Sequence, residues 1–338
     1  MTEPLVVIDA DVLGRERTGD ETYVERLLHE LPAHSAGLRL AAVTRRPDLV
    51  PDGVEAIPLE TRRQVLRMSW MLPALLRHVR PALFHGIHAL PPSLRCPAVL
   101  TVQDLSFERD PDLMGRKDRF AFRRVVPRSA RQAARVLAIS ERTKRDLVEL
   151  YKLPPAKVVV TPLGVDPAFT PGDGGHDAYL LFVGAVQERK DPRAAALAAR
   201  ELGRTLVVVG PEKDSALADE LRGLGAELRG YVTKEELAAL YRGAAALVFP
   251  SRYEGFGLPV VEAMASGTPV VAAPDAAVRE VAGDAAVYAE PGELAAAVER
   301  VLADRERLVA AGLERAQLFT WAETARRTAE VYRMVLGA

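Results

Sequence analysis

A single cysteine, Cys96, in 338 residues excludes an intramolecular disulfide framework and a cysteine-built zinc site. Aromatic residues make up only 6% and are not interleaved with basic ones, so the stacking surface of a nucleic-acid binder is missing and no nucleic-acid partner is expected. No apolar run approaches the roughly 20 residues that cross a bilayer. The opening Met1-Thr2-Glu3-Pro4 carries an acid where a secretory signal would be basic, and it leads straight into the strand-like run Leu5 to Ile8. A cytoplasmic protein is expected.

What is present is a chain about twice the usual domain length, 49% hydrophobic and 27% charged, enough to cover two cores. Its net charge of −1 hides an asymmetry. Residues 1–163 sum to +6 and the remainder to −7. A basic first half suggests an anionic surface or ligand on that side, and chance surface charge explains it as well.

Short aliphatic runs alternate with amphipathic helical stretches from end to end. Strands are expected at 5–9, 38–43, 54–57, 82–85, 98–102, 135–139 and 157–160, with helices at 21–31, 62–79, 116–132 and 141–151. The pattern breaks in a Pro/Gly-rich stretch that includes Pro162, Pro167, Pro171, Gly172, Gly174 and Gly175. A second alternation follows, with strands at 179–183, 205–209, 227–228, 246–249, 269–272 and 286–288. Its helices include 192–202, 234–242, 258–265 and 292–303. The reading is α/β, with two doubly wound parallel-sheet domains and a ligand cleft between them. The divisions are 1–163, a linker 164–177, 178–318, and a closing helical segment 319–338.

The strongest local signal runs from Phe249 to Met264, where a strand enters a glycine loop and then a helix with Pro259 in its first turn. Gly255 and Gly257 permit close approach of backbone to ligand, and the helix N-terminus beyond them suits a diphosphate. Glu254 and Glu262 bracket that anion site. A carboxylate beside phosphate is repelled, so these two are expected to take hydroxyl groups of sugar and ribose. A plain βα turn with incidental acids is the bland alternative. Two glutamates eight apart across Gly-Phe-Gly-Leu-Pro inside an α/β repeat weigh against it.

This segment resembles the Glu-x7-Glu motif of glycosyltransferase family 4, whose fold is GT-B. Other stretches agree in order over nearly the whole chain: Arg17-Thr18-Gly19 to Tyr23, His85 with Leu90-Pro91, Ala138-Ile139-Ser140, and Pro162 to Asp166. Phe182-Val183-Gly184 to Glu188-Arg189-Lys190, Gly230-Tyr231-Val232 and Ala282 to Ala285 continue the agreement. The stretches from Arg17 to Tyr23 and from His85 to Pro91 resemble those of the family's mannosyltransferase-B-like members. The resemblance implies a retaining transfer of a hexose, mannose from GDP-mannose as a first assignment, from a nucleotide sugar to a glycan, lipid-linked or small-molecule acceptor.

Residue by residue, the resemblance implies that Arg189 and Lys190 hold the donor diphosphate and offset charge on the leaving group. Glu262 would bind ribose, Glu254 the transferred sugar, and the amides of Phe256, Gly257 and Leu258 would face sugar and phosphate. Tyr231-Val232 backbone would meet the base, and Gly19 and Gly184 would let their loops approach the donor. Asp104 and His85 would lie on the acceptor side. No cofactor and no metal is expected: Asp9-Ala10-Asp11 has a metal-binding spacing but ends the first strand, and is read as structural.

Two positions depart from the family pattern. Gln103 stands where His-Asp-Leu is usual; it can hydrogen-bond a sugar hydroxyl but cannot take up a proton. Asp20 replaces an aliphatic residue and reads as the N-cap of the following helix. Gln103 motivates an alternative, a catalytically lapsed partner subunit, and the fold allows a nucleotide-sugar 2-epimerase as another. Basic residues are dense from Arg116 to Arg145 and mixed with apolar ones from Arg62 to Arg80. Such helices can rest on anionic lipid at a membrane surface; ordinary outer helices of a Rossmann domain account for them equally.

Overall fold

The structure, a computed structural model, describes residues 3–15, 18–61, 63–109, 116–172 and 179–337; of Thr18 and residues 116–119 only the backbone is described. It divides into two units, Met1–Gly164 with Trp321–Ala338, and Val165–Thr320. Arg17, Arg62, Gly174 and Gly175, used in the sequence reading, lie outside the described residues, as do the side chains of Arg116, Lys117 and Arg119.

The first unit is built on β1 (Leu5–Asp9), β2 (Arg39–Thr44), β3 (Glu55–Pro58), β4 (Leu83–Ile87), β5 (Ala98–Val102), β6 (Arg135–Ala138) and β7 (Val158–Val160). All pair in parallel in the order β3-β2-β1-β4-β5-β6-β7. Both faces are covered, so the strands are apolar throughout: Val6, Val7 and Ile8 are wholly buried in succession. Helices α1 (Thr18–His34), α2 (Gln64–Leu66), α3 (Leu72–Val79), α4 (Ser106–Arg109), α5 (Arg116–Gln132) and α6 (Glu141–Tyr151) connect them. A π-helical turn, Arg67–Met71, joins α2 to α3. Strand order reverses between β1 and β4, which puts a ligand crevice outside their carboxyl ends.

The second unit holds β8 (Tyr179–Val183), β9 (Leu206–Val209), β10 (Glu227–Gly230), β11 (Ala244–Phe249), β12 (Val270–Ala272) and β13 (Ala286–Tyr288). They too are parallel, in the order β10-β9-β8-β11-β12-β13, with the reversal between β8 and β11. Its helices are α7 (Pro192–Glu201), α8 (Ser215–Gly223), α9 (Lys234–Gly243), α10 (Leu258–Ala265), α11 (Ala276–Ala282), α12 (Leu294–Ala303) and α13 (Arg305–Ala316). Side-chain caps start several of them: Asp214 accepts from Leu217 N, Asp275 from Ala277 N and Val278 N, and Thr233 with Glu236 forms a capping box.

The last helix, α14 (Trp321–Leu336), belongs to the first unit, where its buried face includes Trp321, Ala325, Ala329 and Tyr332. The expected linker differs from the structure over its described part. Val165 donates to Phe319 O at 3.1 Å, Asp166 pairs with Lys234 at 2.8 Å, and Phe169 meets Tyr241 edge-on. These residues are packed into the second unit because each apolar or charged side chain finds a partner there. The expected boundary at 318 likewise moves past Phe319, whose ring packs against Phe256 at 5.5 Å.

Candidate active site

The second unit's reversal point brings together the loops after β8 and β11. Gly184 closes β8, and Gly210 closes β9 so near to it that a Cβ on Gly210 would stand 2.2 Å from Gly184 O. Only glycine fits there. Beyond Gly184 a short 3-10 turn, Glu188–Lys190, leads to Asp191, which takes φ +50 and caps α7 through Ala194 N. Arg252, from the loop after β11, donates backbone N–H to Arg189 O at 3.0 Å and Nη2 to Asp191 Oδ2 at 3.0 Å. The two loops are thereby stitched together.

Within that stitch Lys190 Nζ ion-pairs with Glu254 Oε1, and Arg189 Nη1 lies 3.8 Å from Glu254 Oε2 while donating to Tyr253 O. All three charged side chains are nine-tenths or so buried. Burial opposes charge on Glu254, but Lys190 and Arg189 outweigh it and hold the carboxyl below the ordinary carboxylate range. Glu254 was expected to address hydroxyl groups alone; the structure makes it the counter-ion of both cations. Carboxylate oxygens have spare lone pairs, so the ion pair leaves it able to accept from a sugar as well.

Gly257 takes φ +110 as the N-cap of α10, with no side-chain cap and Pro259 close behind. The amides of Phe256, Gly257 and Leu258 lie at this helix start, a favourable place for negative charge. The Phe256 ring points into the core and anchors the loop on Phe319. Glu262 follows one turn into α10 and accepts from Tyr241 Oη at 2.9 Å. Burial, with the charge of Asp166 adding, pushes the Glu262 carboxyl up to about 7, against the opposing effects of Tyr241 and Lys234. Tyr231 is exposed after β10 and Val232 is half-buried beside it.

In the first unit, Gln103 and Asp104 follow β5. Gln103 is buried, and a Cβ on Gly19 would come within 3.7 Å of its Oε1. Gly19 was expected in a loop; it lies instead in the first turn of α1, which begins at Thr18. Asp20 therefore sits inside that turn and is not its N-cap; its Oδ1 faces His88 Nε2 at 3.2 Å. Asp104 Oδ1 accepts from Ser106 N and Oγ, at 3.0 and 2.9 Å, and starts α4.

His85 is a correction. Placed on the acceptor side by the sequence, it is wholly buried, with Nδ1 on Tyr332 Oη at 2.6 Å and Nε2 on Thr101 Oγ1 at 2.7 Å. Both ring nitrogens are occupied and burial pushes its pKa down to about 3. It ties α14 to the sheet and cannot reach a ligand. Asp9 and Asp11 are equally committed: Arg67 grips Asp9 with two hydrogen bonds of 3.0 and 2.6 Å, and Arg45 and Arg15 hold Asp11. Among the described residues no group of three or more His, Cys, Asp or Glu is placed to hold a metal ion.

Comparison with known proteins covers both halves of the chain. The family described as "Glycosyltransferase Family 4" matches residues 17–169, and "Glycosyl transferases group 1" matches residues 177–304. The chain belongs to glycosyltransferase family 4. A curated relative, O-antigen chain mannosyltransferase B of Escherichia coli, is 28% identical over 328 residues, covering 88% of this chain and 83% of its own. A D-inositol 3-phosphate glycosyltransferase of Kineococcus radiotolerans is 37% identical over 60% of this chain and 57% of its own length. HepE of Anabaena, solved in complex with UDP-glucose, superposes with a TM-score of 0.74 at 13% identity, covering 98% of this chain and 100% of its own. The fold is GT-B, and the coarse activity of this family 4 member is glycosyl transfer.

Several supports of the candidate site were not anticipated. Asp191-Pro192 carries a legible signal, an acid before proline at a helix start. Tyr241, Arg252 and Gly210 had none, because each acts through a partner distant in sequence.

Proposed function

We propose that this family 4 enzyme transfers a hexose with retention from a nucleotide sugar, with mannose from GDP-mannose as the first donor to test. The observation that carries the reading is the Arg189–Lys190–Glu254 cluster beside the glycine-capped start of α10. Two cations and a helix N-terminus supply the positive field that a departing nucleoside diphosphate needs, so no metal is required. Glu262, steadied by Tyr241, takes the ribose hydroxyls, and the exposed Tyr231 with Val232 borders the base. The first unit takes the acceptor, a glycan, lipid-linked glycan or small molecule. Thermal shift against UDP, GDP, ADP and dTDP, with and without EDTA, tests this. One nucleotide at a hundred times its Kd adds about 2.7 kcal/mol of stability. A shift with none of them defeats the donor assignment.

We also propose that the first unit rests on an anionic membrane surface at its cytoplasmic face. Val65, Leu66 and Trp70 are exposed along α2 and the π turn, with Arg63, Arg77 and Arg80 exposed nearby in sequence. On α5, exposed Phe120, Phe122 and Val125 accompany exposed Arg123, Arg124 and Arg128. Apolar side chains among cations suit the acyl-headgroup boundary. Among the described residues no helix is long and apolar enough to cross a membrane. Co-sedimentation with phosphatidylglycerol vesicles but not phosphatidylcholine ones, weakened in Trp70→Ser, is the expected result; equal binding to both lipids, or binding to neither, removes the proposal.

A further inference from the structure

Two polar atoms at the carboxyl ends of the adjacent strands β4 and β5 are buried without a hydrogen-bond partner among the described residues: His88 Nδ1 and Gln103 Nε2. Buried polar atoms are nearly always paired, so two orphans at the ends of adjacent strands call for an explanation. Gln103 is only 7% exposed, which leaves solvent little share in satisfying it. His88 is held at φ +59, a conformation costly for a side chain with a Cβ, by its N–H donating to Thr101 O at 2.8 Å.

The orientation of the imidazole is set from α1. Asp20 Oδ1 lies 3.2 Å from His88 Nε2, so Nε2 carries the hydrogen, and whenever the ring is neutral its lone pair is on Nδ1. Gly19, next to Asp20, is the residue that comes up against Gln103 Oε1. The start of α1, the turn after β4 and the end of β5 thus meet at one place. Burial works against a charge on His88, but Asp20 and Asp104 outweigh it and raise its pKa above the ordinary histidine value.

The unmet capacity is one donor, the Gln103 amide, and one acceptor, the His88 lone pair. A hydroxyl both accepts and donates; a phosphate or carboxylate can only accept. Among the described residues, the carboxylates of Asp20 and Asp104 are the charges that act on His88, and they disfavour an anion further. We propose that Asp20, His88 and Gln103 form the acceptor-hydroxyl subsite of the first unit, one that takes an uncharged sugar or polyol and discriminates against its phosphate ester. This rests on the glycosyl-transfer reading. His88 and Gln103 bind the hydroxyls, and Asp20 acts through His88 as a positioning residue.

The test uses the full chain and follows the His88 ring resonances by NMR, assigned by their loss in His88→Asn. Probes are methyl α-mannoside and myo-inositol, each paired with its phosphate ester. The neutral probes are expected to move the His88 signals and to bind at least tenfold tighter than the esters. Their affinity should fall as acidification protonates His88. Gln103→Leu, which keeps the volume, and Asp20→Asn should each weaken binding about tenfold, and Asp20→Asn should also lower the measured His88 pKa. An ester binding as tightly as its parent, or a His88 signal indifferent to every probe, overturns the subsite. A nucleotide thermal shift on the wild type separates the two failures. If the shift is present, only the subsite has failed; if it is absent, the transfer reading has failed with it.

Discussion

Tyr241 on α9 donates its phenolic hydrogen to Glu262 on α10 across 2.9 Å, and this bond stands between a half-buried carboxylate and its protonation. The Glu262 pKa of about 7 puts that carboxyl's charge change inside the physiological range. An ionised carboxylate is the better acceptor for ribose hydroxyls, so nucleotide affinity is expected to fall as pH drops through about 7. Tyr241→Phe removes an effect that lowers this pKa, and should move the fall to higher pH. Calorimetric Kd values against pH check both; a flat profile in wild type rejects the assignment. For stability the sign is opposite. A carboxyl whose folded pKa is raised contributes stability fully present below its ordinary value and lost as pH rises through about 7.

Glu254→Gln should uncouple anion binding from turnover. Removing the counter-ion leaves Lys190 and Arg189 uncompensated, so a nucleoside diphosphate should bind more tightly while sugar transfer falls about a hundredfold or more. The fold should also weaken by about 3 kcal/mol. The lowered Glu254 pKa means its contribution is present above the ordinary carboxylate value and lost on acidification through the depressed one. The variant should therefore lose part of its acid sensitivity in chemical denaturation.

Arg67→Met should be among the most damaging single changes in the first unit. The guanidinium is 1% exposed and grips buried Asp9, so its loss strands that acid at about 3–5 kcal/mol, while Asp11 keeps Arg15 and Arg45. Arg67→Lys should recover little, because a point charge cannot make the two-pronged contact with Asp9. Urea midpoints for the three proteins decide this.

Tyr332→Phe leaves His85 Nδ1 without its partner in a dry core. A cost of about 1–3 kcal/mol is expected, with faster amide exchange along α14. Unchanged exchange there would mean that packing alone holds the helix.

Gly210→Ala should disturb the donor loop without touching a charged residue. The new Cβ would collide with Gly184 O, so β8 and β9 must separate at their ends. Nucleotide thermal shifts should shrink while Ala substituted at Gly203, where nothing lies within 4 Å of a Cβ, keeps them, though its φ of +63 still strains that turn.

Much of this protein was readable along the chain. Periodicity placed β1, β5, β8, β13, α5, α6 and α10 at their observed bounds, because buried parallel strands must be apolar throughout and covering helices must be amphipathic. The spacing from Glu254 to Glu262 marked the candidate donor loop, since glycine, proline and a helix start leave a local signature. Helices α8, α11 and α13 were not marked, and the π turn had no signal at all.

Local pattern states what a segment can form, and only the packed structure decides which side chains meet. His85 looked like a ligand contact and is a core tie to Tyr332, 247 residues away in sequence. Val165, Asp166 and Phe169 looked like linker and are tied into the second unit. Lys190 with Glu254, Tyr241 with Glu262, Arg67 with Asp9 and Asp20 with His88 are pairings between separate elements. The sequence by itself determined most of the elements and the family, whose signals are local. The charge partners, the buried orphans and hence the pKa values came from tertiary structure, because burial and opposite charge act through space and not along the chain.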